Sequence, residues 1–249
     1  MIEAFEAIVD EARRRVIGGP VAAQIENKVW YLRQNRLFAD AVDSGIESSA
    51  HLFTMTVFLR RTRVFDQGDP SRVIYLVKTG KVRLARTTPD GKDVTVALLG
   101  PGDVFGEETL FSDSPRTTNA IVLEDALVCM AKADDLMGLL TRDPIMALNV
   151  AKILERRLID ASATMEDLAY AKIADRLMHL FRRLADEHGV RGEDGAIAID
   201  LRLTHADIAS LVGSTRETVS LELANLIRAG RLRSDEHLFT LPAGECVSS

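Results

Sequence analysis

Cysteine is scarce in this chain. Cys129 and Cys246 are the two among 249 residues, and they lie far apart with no CxxC pair. That argues against a disulfide framework or a zinc site and fits a reducing cytosol. No apolar run approaches the roughly 20 residues of a membrane span. The N-terminus carries Glu3, Glu6, Asp10 and Glu11, unlike the basic start of a signal peptide. These absences point to a cytoplasmic protein with no membrane partner. Signatures of catalysis are missing too. There is no Walker loop, no GxSxG and no HExxH, so an enzyme is not expected. Internal repeats and low-complexity tracts are also absent.

What is present is ordinary for a folded chain: 47% hydrophobic and 27% charged residues. The formal net charge of −6 counts against nucleic-acid binding as a property of the whole molecule. It does not count against a local site, because screening beyond about 8–10 Å leaves nearby charges in control.

The organisation along the chain is legible from changes in period. Ile2, Phe5, Ile8, Val9, Ala12 and Val16 sit at helical spacing, and Gly18, Gly19 and Pro20 end that helix. Residues 22–42 read as more helix, with Val29, Leu32, Leu37 and Phe38 buried. From 52 to 131 short apolar runs alternate with turn signals: "VIYLV" then "KTG", "KVRLARTT" then "PDGKD", "VTVALL" then "GPGD", and "AIVL" and "ALVCM" separated by "ED". This pattern suggests an antiparallel barrel or roll. From 134 to 188 the helical period returns. Leu154, Leu158, Ala161, Met165 and Leu168 follow a 4-3-4-3 spacing, the a/d seam of a coiled coil. Charged residues fill the gaps, so the apolar stripe is narrow. A narrow stripe favours a homodimer seam over a helix enclosed by its own domain.

The C-terminal part reads as a helix ("AKIADRLMHLFRRLADEH"), a Gly-rich loop ("GVRGEDG"), a strand ("AIAID"), two helices and a terminal hairpin. Thr204 can cap the first of the two helices, with Asp207 completing the box. Ala206, Ile208, Ala209 and Leu211 supply contacts, and Gly213 allows a sharp turn. Ser214 or Thr215 caps the second helix, with Val219, Leu223 and Leu226 or Ile227 inward. Two helices around such a turn form a helix-turn-helix, whose second helix enters a major groove. Arg216 there can bond a guanine O6 and N7 together, and Glu217 can accept from a cytosine amino group. Thr215, Thr218 and Ser220 can bond phosphates or bases. In the following hairpin, Arg231 and Arg233 can touch phosphates. From 202 to 233 five arginines outnumber three acidic residues, a local charge of +2.

The order of parts resembles the cyclic-AMP receptor protein/FNR (CRP/FNR) family of bacterial transcription regulators. The resemblance runs from about 31 to 242 and is carried by "LLGPGDVFGEETLFSDSPRTTNA" (98–120) and "IASLVGSTRETVS" (208–220). It implies an α+β chain divided as follows. Residues 1–30 are an N-terminal helical extension, 31–142 a β-roll sensor domain, 143–170 a dimerisation helix and 171–249 a winged helix-turn-helix. It implies double-stranded DNA with a near-palindromic operator and RNA polymerase as partners. In cyclic-nucleotide-binding members a phosphate cassette matches Gly106, Glu107, Arg116 and Thr117 here, with Ser162 on the dimer helix reaching the base. Cyclic AMP is therefore the candidate ligand. An empty roll with an Arg116–Glu107 salt bridge is the alternative. Two departures favour it: Glu108 stands where the family has an apolar residue, and Ala161–Ser162 keeps one hydroxyl of a Thr–Ser pair. No N-terminal cysteine cluster exists for an iron–sulfur centre, no haem ligand is evident, and His51 reads as a satisfied structural histidine rather than a metal ligand. Leu221 replaces a usually basic base-reading residue, which should relax the preference at one base pair.

Three readings stay open at this point. The first is a homodimeric DNA-binding activator acting without a mandatory small effector. The second is the same regulator gated by cyclic AMP or another small ligand. The third is a cyclic-nucleotide-binding module that controls a protein partner.

Overall fold

The computed structural model describes residues 21–41, 46–47, 49–70, 72–91, 93–111, 114–235 and 237–245. The helix expected over 2–16 lies outside them, as does Cys246. Helix α1 (Val21–Gln34) is shorter than the expected 22–42. It stops because Asn35 turns to extended backbone and its side chain accepts the Leu37 N–H, starting a 3-10 turn over Arg36–Phe38. That turn carries Leu37 and Phe38 into the core beside Leu32, with Val29 at the margin.

Six strands form one antiparallel roll: β1 (Thr54–Phe58), β2 (Arg63–Phe65), β3 (Val73–Thr87), β4 (Asp93–Leu99), β5 (Val104–Phe105) and β6 (Asn119–Lys132). The order is β1-β6-β3-β4, with β2 also on β6 and β5 also on β3. The sequence pattern divides 73–87 at "KTG" and 119–132 at "ED"; the structure does neither. β3 and β6 each run through, paired from Val73↔Lys132 to Ala85↔Asn119 with register shifts between Val77 and Val82. Gly80 is the reason. Its φ is +82°, and a Cβ there would lie 2.3 Å from the Asp125 carbonyl oxygen. The punctuation seen in sequence is a bulge inside a strand pair, not a turn.

The run "VIYLV" is apolar at every position because β3 is covered on both faces. Ile74 and Leu76 face a cluster with Leu32, Leu37 and Phe38, joined by Leu136, Leu139 and Leu140 of α2 (Ala133–Arg142). Val73, Tyr75 and Val77 face the roll interior with Phe65, Phe105 and Met130. Cys129 is a free thiol in the first cluster, and its burial pushes its pKa up to about 12. It is inert in that state. Helix α3 (Pro144–Tyr170) joins this core through Met146 and Val150. Buried Asn149 donates to the Leu37 and Ala39 carbonyls at 3.2 and 2.7 Å.

The chain divides into two compact units, broken within α3 at Arg157/Leu158, with residues 93–96 of β4 grouped with the second. The second holds α4 (Ile173–His188), β7 (Gly189–Arg191), β8 (Ile197–Ile199), α5 (His205–Val212), α6 (Arg216–Arg228), β9 (Arg233–Asp235) and β10 (Leu238–Leu241). Its sheet runs β7-β8-β10-β9. β7 falls in the segment read as a Gly-rich loop; all three residues are exposed, so no alternation betrays it. The core joins Leu177, Phe181 and Leu184 of α4 to Val219, Leu223 and Leu226 of α6 and to Phe239 and Leu241. The Phe181 and Phe239 rings lie 4.9 Å apart. Leu226, not Ile227, is the inward residue, and Ala206 is exposed rather than a packing contact.

Candidate nucleic-acid interface and roll interior

The helix pair around Gly213 is built by local chemistry. The Thr204 hydroxyl accepts the Asp207 N–H while the Asp207 carboxylate accepts the Thr204 N–H at 3.0 Å, closing the expected box. α5 ends at Gly213, whose φ of +62° is left-handed. A Cβ there would also lie 2.7 Å from Leu168 Cδ2, so glycine is needed for conformation and for space. Thr215, not Ser214, caps α6 by accepting the Thr218 N–H at 3.2 Å.

Burying Val219, Leu223 and Leu226 turns the opposite face of α6 outward. Thr215, Arg216 and Glu217 are exposed and Thr218 half-buried, all in the first turn. Leu221 is 63% exposed, more than a side chain needed for packing would be. Ser220 is half-buried, donates to the Arg216 carbonyl at 2.8 Å and meets His205 Nδ1 at 2.7 Å. His205 is a group that sequence reading missed. No local pattern marks it, because its partner lies 15 residues away across the helix pair. Its imidazolium pKa is held below the usual range by burial, then by His237 and Arg216.

The two hairpin arginines differ. Arg233 is exposed, with Asp194 at 3.8 Å. Arg231 is committed to Glu245, Nε to Oε1 at 2.7 Å, and Glu245 also receives Arg182 at 2.7 Å. These bonds hold the Glu245 carboxyl below its ordinary range.

In the roll, Arg116 is a wholly buried side chain. It donates to the Gly106 carbonyl at 3.0 Å and to the Val73 carbonyl, and lies 4.2 Å over the Phe65 ring. Its carboxylate partner is Glu108 at 3.3 Å, not Glu107 as the sequence suggested. Glu107 pairs instead with Arg157 of α3, whose other Nη donates to the Val104 carbonyl. Gly106 has φ +81°, and a Cβ there would meet Arg116 Nη1 at 2.6 Å. Burial pushes the Tyr75 phenol up to about 12, against the effect of Arg116. Thr117 is exposed, and Ser162 is exposed with its hydroxyl on the Leu158 carbonyl. Within the roll, Gly106 and Arg116 meet, Glu107 turns to Arg157, and Thr117 faces outward. His51 is exposed rather than satisfied inside the fold. Among the described residues no group of His, Cys, Asp or Glu side chains could hold a metal ion, and no helix is long and apolar enough to cross a membrane.

On α3 the expected seam is uncovered in the single chain. Leu154, Leu158, Met165 and Leu168 are 38, 67, 61 and 43% exposed, and Ala161 is exposed.

A roll of this topology followed by a helix-turn-helix with a sheet wing defines a two-part DNA-binding regulator. Residues 55–143 match the cyclic nucleotide-binding domain and residues 171–242 the Crp-like helix-turn-helix domain. The cyclic AMP receptor protein of Thermus thermophilus is 31% identical over 202 residues, covering 81% of this chain and 90% of its own. The CRP-like cAMP-activated global transcriptional regulator of Mycobacterium tuberculosis is 32% identical over 197 residues, 79% of this chain and 88% of its own. A solved CRP/FNR-family transcriptional regulator, also from Thermus thermophilus, superposes with a TM-score of 0.62 at 28% identity, covering 76% of this chain and 93% of that one. The chain belongs to the CRP/FNR family of DNA-binding transcription regulators, which are not enzymes.

Proposed function

We propose that this protein is a homodimeric, cytoplasmic regulator that reads a near-palindromic duplex and activates transcription without a mandatory small effector. The observation that carries this reading is the pairing of two exposed surfaces that packing does not require: the first turn of α6 and the apolar seam of α3. Two copies joined along Leu154, Leu158, Ala161, Met165 and Leu168 would present two reading helices to successive major-groove faces about 34 Å apart. Thr215, Arg216, Glu217, Thr218, Ser220 and Leu221 form the base-facing set, with Arg233 toward phosphates and Arg231 available only if it leaves Glu245.

Effector independence is supported by the interior of the roll. Glu108 already supplies Arg116 with an anion, and Arg157 already supplies Glu107 with a cation. A second reading, gating by cyclic AMP, is favoured by the retained Gly106, Glu107 and Arg116 and by the two relatives named for that ligand. RNA polymerase is the partner that activation would require.

The test uses the full chain and a duplex enriched from a random-sequence pool. Mass photometry should count two chains per duplex, with affinity unchanged by millimolar cyclic AMP, and the site placed upstream of a reporter promoter should raise its output. One chain per duplex, or binding that appears only with cyclic AMP, overturns the corresponding part of the reading.

A further inference from the structure

The reading helix is tied to His205 through Ser220. Ser220 Oγ lies 2.8 Å from the Arg216 carbonyl oxygen and 2.7 Å from His205 Nδ1. A hydroxyl has one proton to donate. With that proton on the Arg216 carbonyl, the imidazole contact needs Nδ1–H as donor and the Ser220 oxygen as acceptor. In the neutral ring, Nε2 then carries only a lone pair.

His205 is the first residue of α5, and it is half-buried. In a helix-turn-helix this first helix crosses the phosphate backbone while the second enters the groove. A lone pair set against phosphate oxygens is repelled. A protonated Nε2–H donates to them in a charge-assisted bond. We propose that His205 takes up a proton when this protein binds DNA, making operator affinity proton-linked through one side chain in each half-site. The inference rests on the reading of α6 as the base-facing helix.

The surroundings favour a neutral ring in the free protein. Arg216 of α6 and His237, in the turn between β9 and β10, face it, and burial acts in the same direction. On its own helix, Asp207 is engaged with the Thr204 N–H and hydroxyl. A phosphate brought against Nε2 reverses the sign of the local potential and favours the charged ring. The complex then holds more protons than its separated parts. Affinity falls as pH rises, by up to ~10-fold per pH unit for one half-site and ~100-fold for two.

Fluorescence anisotropy on an enriched duplex, at constant ionic strength from about pH 5.5 to 8.5, reads this linkage. The wild-type protein should lose at least about tenfold in affinity across that range. His205→Ala should be flat at the weak, high-pH limit of the wild type. His205→Lys should be flat and tight, because its charge no longer titrates there. His237→Gln should keep the slope and move it to higher pH. Imidazole NMR of the wild-type protein gives an independent readout, with the His205 pKa rising on addition of duplex. A wild-type profile as flat as that of His205→Ala, a slope that survives in His205→Ala, or an unmoved NMR pKa overturns the inference and leaves DNA recognition standing. Failure of any duplex to enrich over random DNA would sink the underlying reading instead.

Discussion

Replacing Glu108 by Leu should open the roll to a cyclic nucleotide. The Arg116 side chain is wholly buried, and Glu108, 26% exposed, sets an oxygen 3.3 Å from its Nη1. Two unit charges at about 4 Å attract by roughly 4 kcal/mol at an effective dielectric near 20. Partial exposure and desolvation reduce this, leaving about 1.5–3 kcal/mol that an incoming phosphate must overcome to displace the carboxylate. At ~1.4 kcal/mol per decade, Glu108→Leu should bind cyclic AMP about 10- to 100-fold more tightly than the wild type. The same substitution has a cost. Arg116 keeps the Gly106 and Val73 carbonyls but loses the Glu108 charge, so the ligand-free variant should be less stable by about 2–4 kcal/mol. Cyclic AMP should restore part of that. Isothermal titration and thermal unfolding of the wild type, Glu108→Leu and Glu108→Leu/Arg116→Ala check both halves. Equal affinity in the wild type and Glu108→Leu would refute the argument that the carboxylate occupies the anion's place.

Arg216→Ala should cost about 1–3 kcal/mol on the enriched site and relax one base pair, measured by binding to a set of single-position duplex variants. Equal losses on specific and random DNA would show that Arg216 does not read a base. Leu158→Asp should raise the dimer dissociation constant at least ~100-fold. Burying each Leu is worth about 1.5–3 kcal/mol, and the seam uses it in both copies; light scattering that still reports dimers would refute the seam. Glu245 has its folded pKa below the unfolded value. Its contribution is therefore present above the unfolded carboxyl pKa and disappears as pH falls through the folded one. Glu245→Gln should flatten the loss of thermal stability below about pH 4.3. It should also free Arg231 and steepen the salt dependence of non-specific DNA binding by about one unit per chain.

The helix-turn-helix was legible because local rules decide it. A capping threonine three residues before an acid, a left-handed glycine and a second capping threonine each act within a few residues. The exposed apolar stripe of α3 was legible because an uncovered helix face must still show a period. Strand ends in the roll were less so. "KTG" carries a glycine that in isolation marks a turn, and only the approach of the Asp125 backbone reveals a bulge. β7 has no alternation to read. In the roll interior the expected Arg116–Glu107 pair is replaced by Arg116–Glu108 and Arg157–Glu107. Glu107 and Glu108 are adjacent, and which one turns to Arg116 depends on where α3 brings Arg157. His205 lay outside sequence reasoning for the same cause, since its partner arrives by helix packing.

Arg157 gives the roll its hold on the first part of α3. It stands between Leu154 and Leu158, bonded to Glu107 and to the Val104 carbonyl. Successive residues of an α-helix are about 100° apart, so fixing the azimuth of Arg157 fixes that of Leu154 in the turn before it. If the proposed seam pairs two copies, a molecule that competes with Arg157 for Glu107 would act on it through Leu154. Glu107 keeps one carboxylate oxygen buried with no hydrogen-bond partner, so the pair leaves it unsatisfied. Such a molecule could shift the proposed dimer only by its difference in affinity for the two states. The intramolecular pair sets the resting position without one. On the proposed dimer, effector control and effector independence would differ in which group partners the Glu107 carboxylate, Arg157 of the same chain or an added donor.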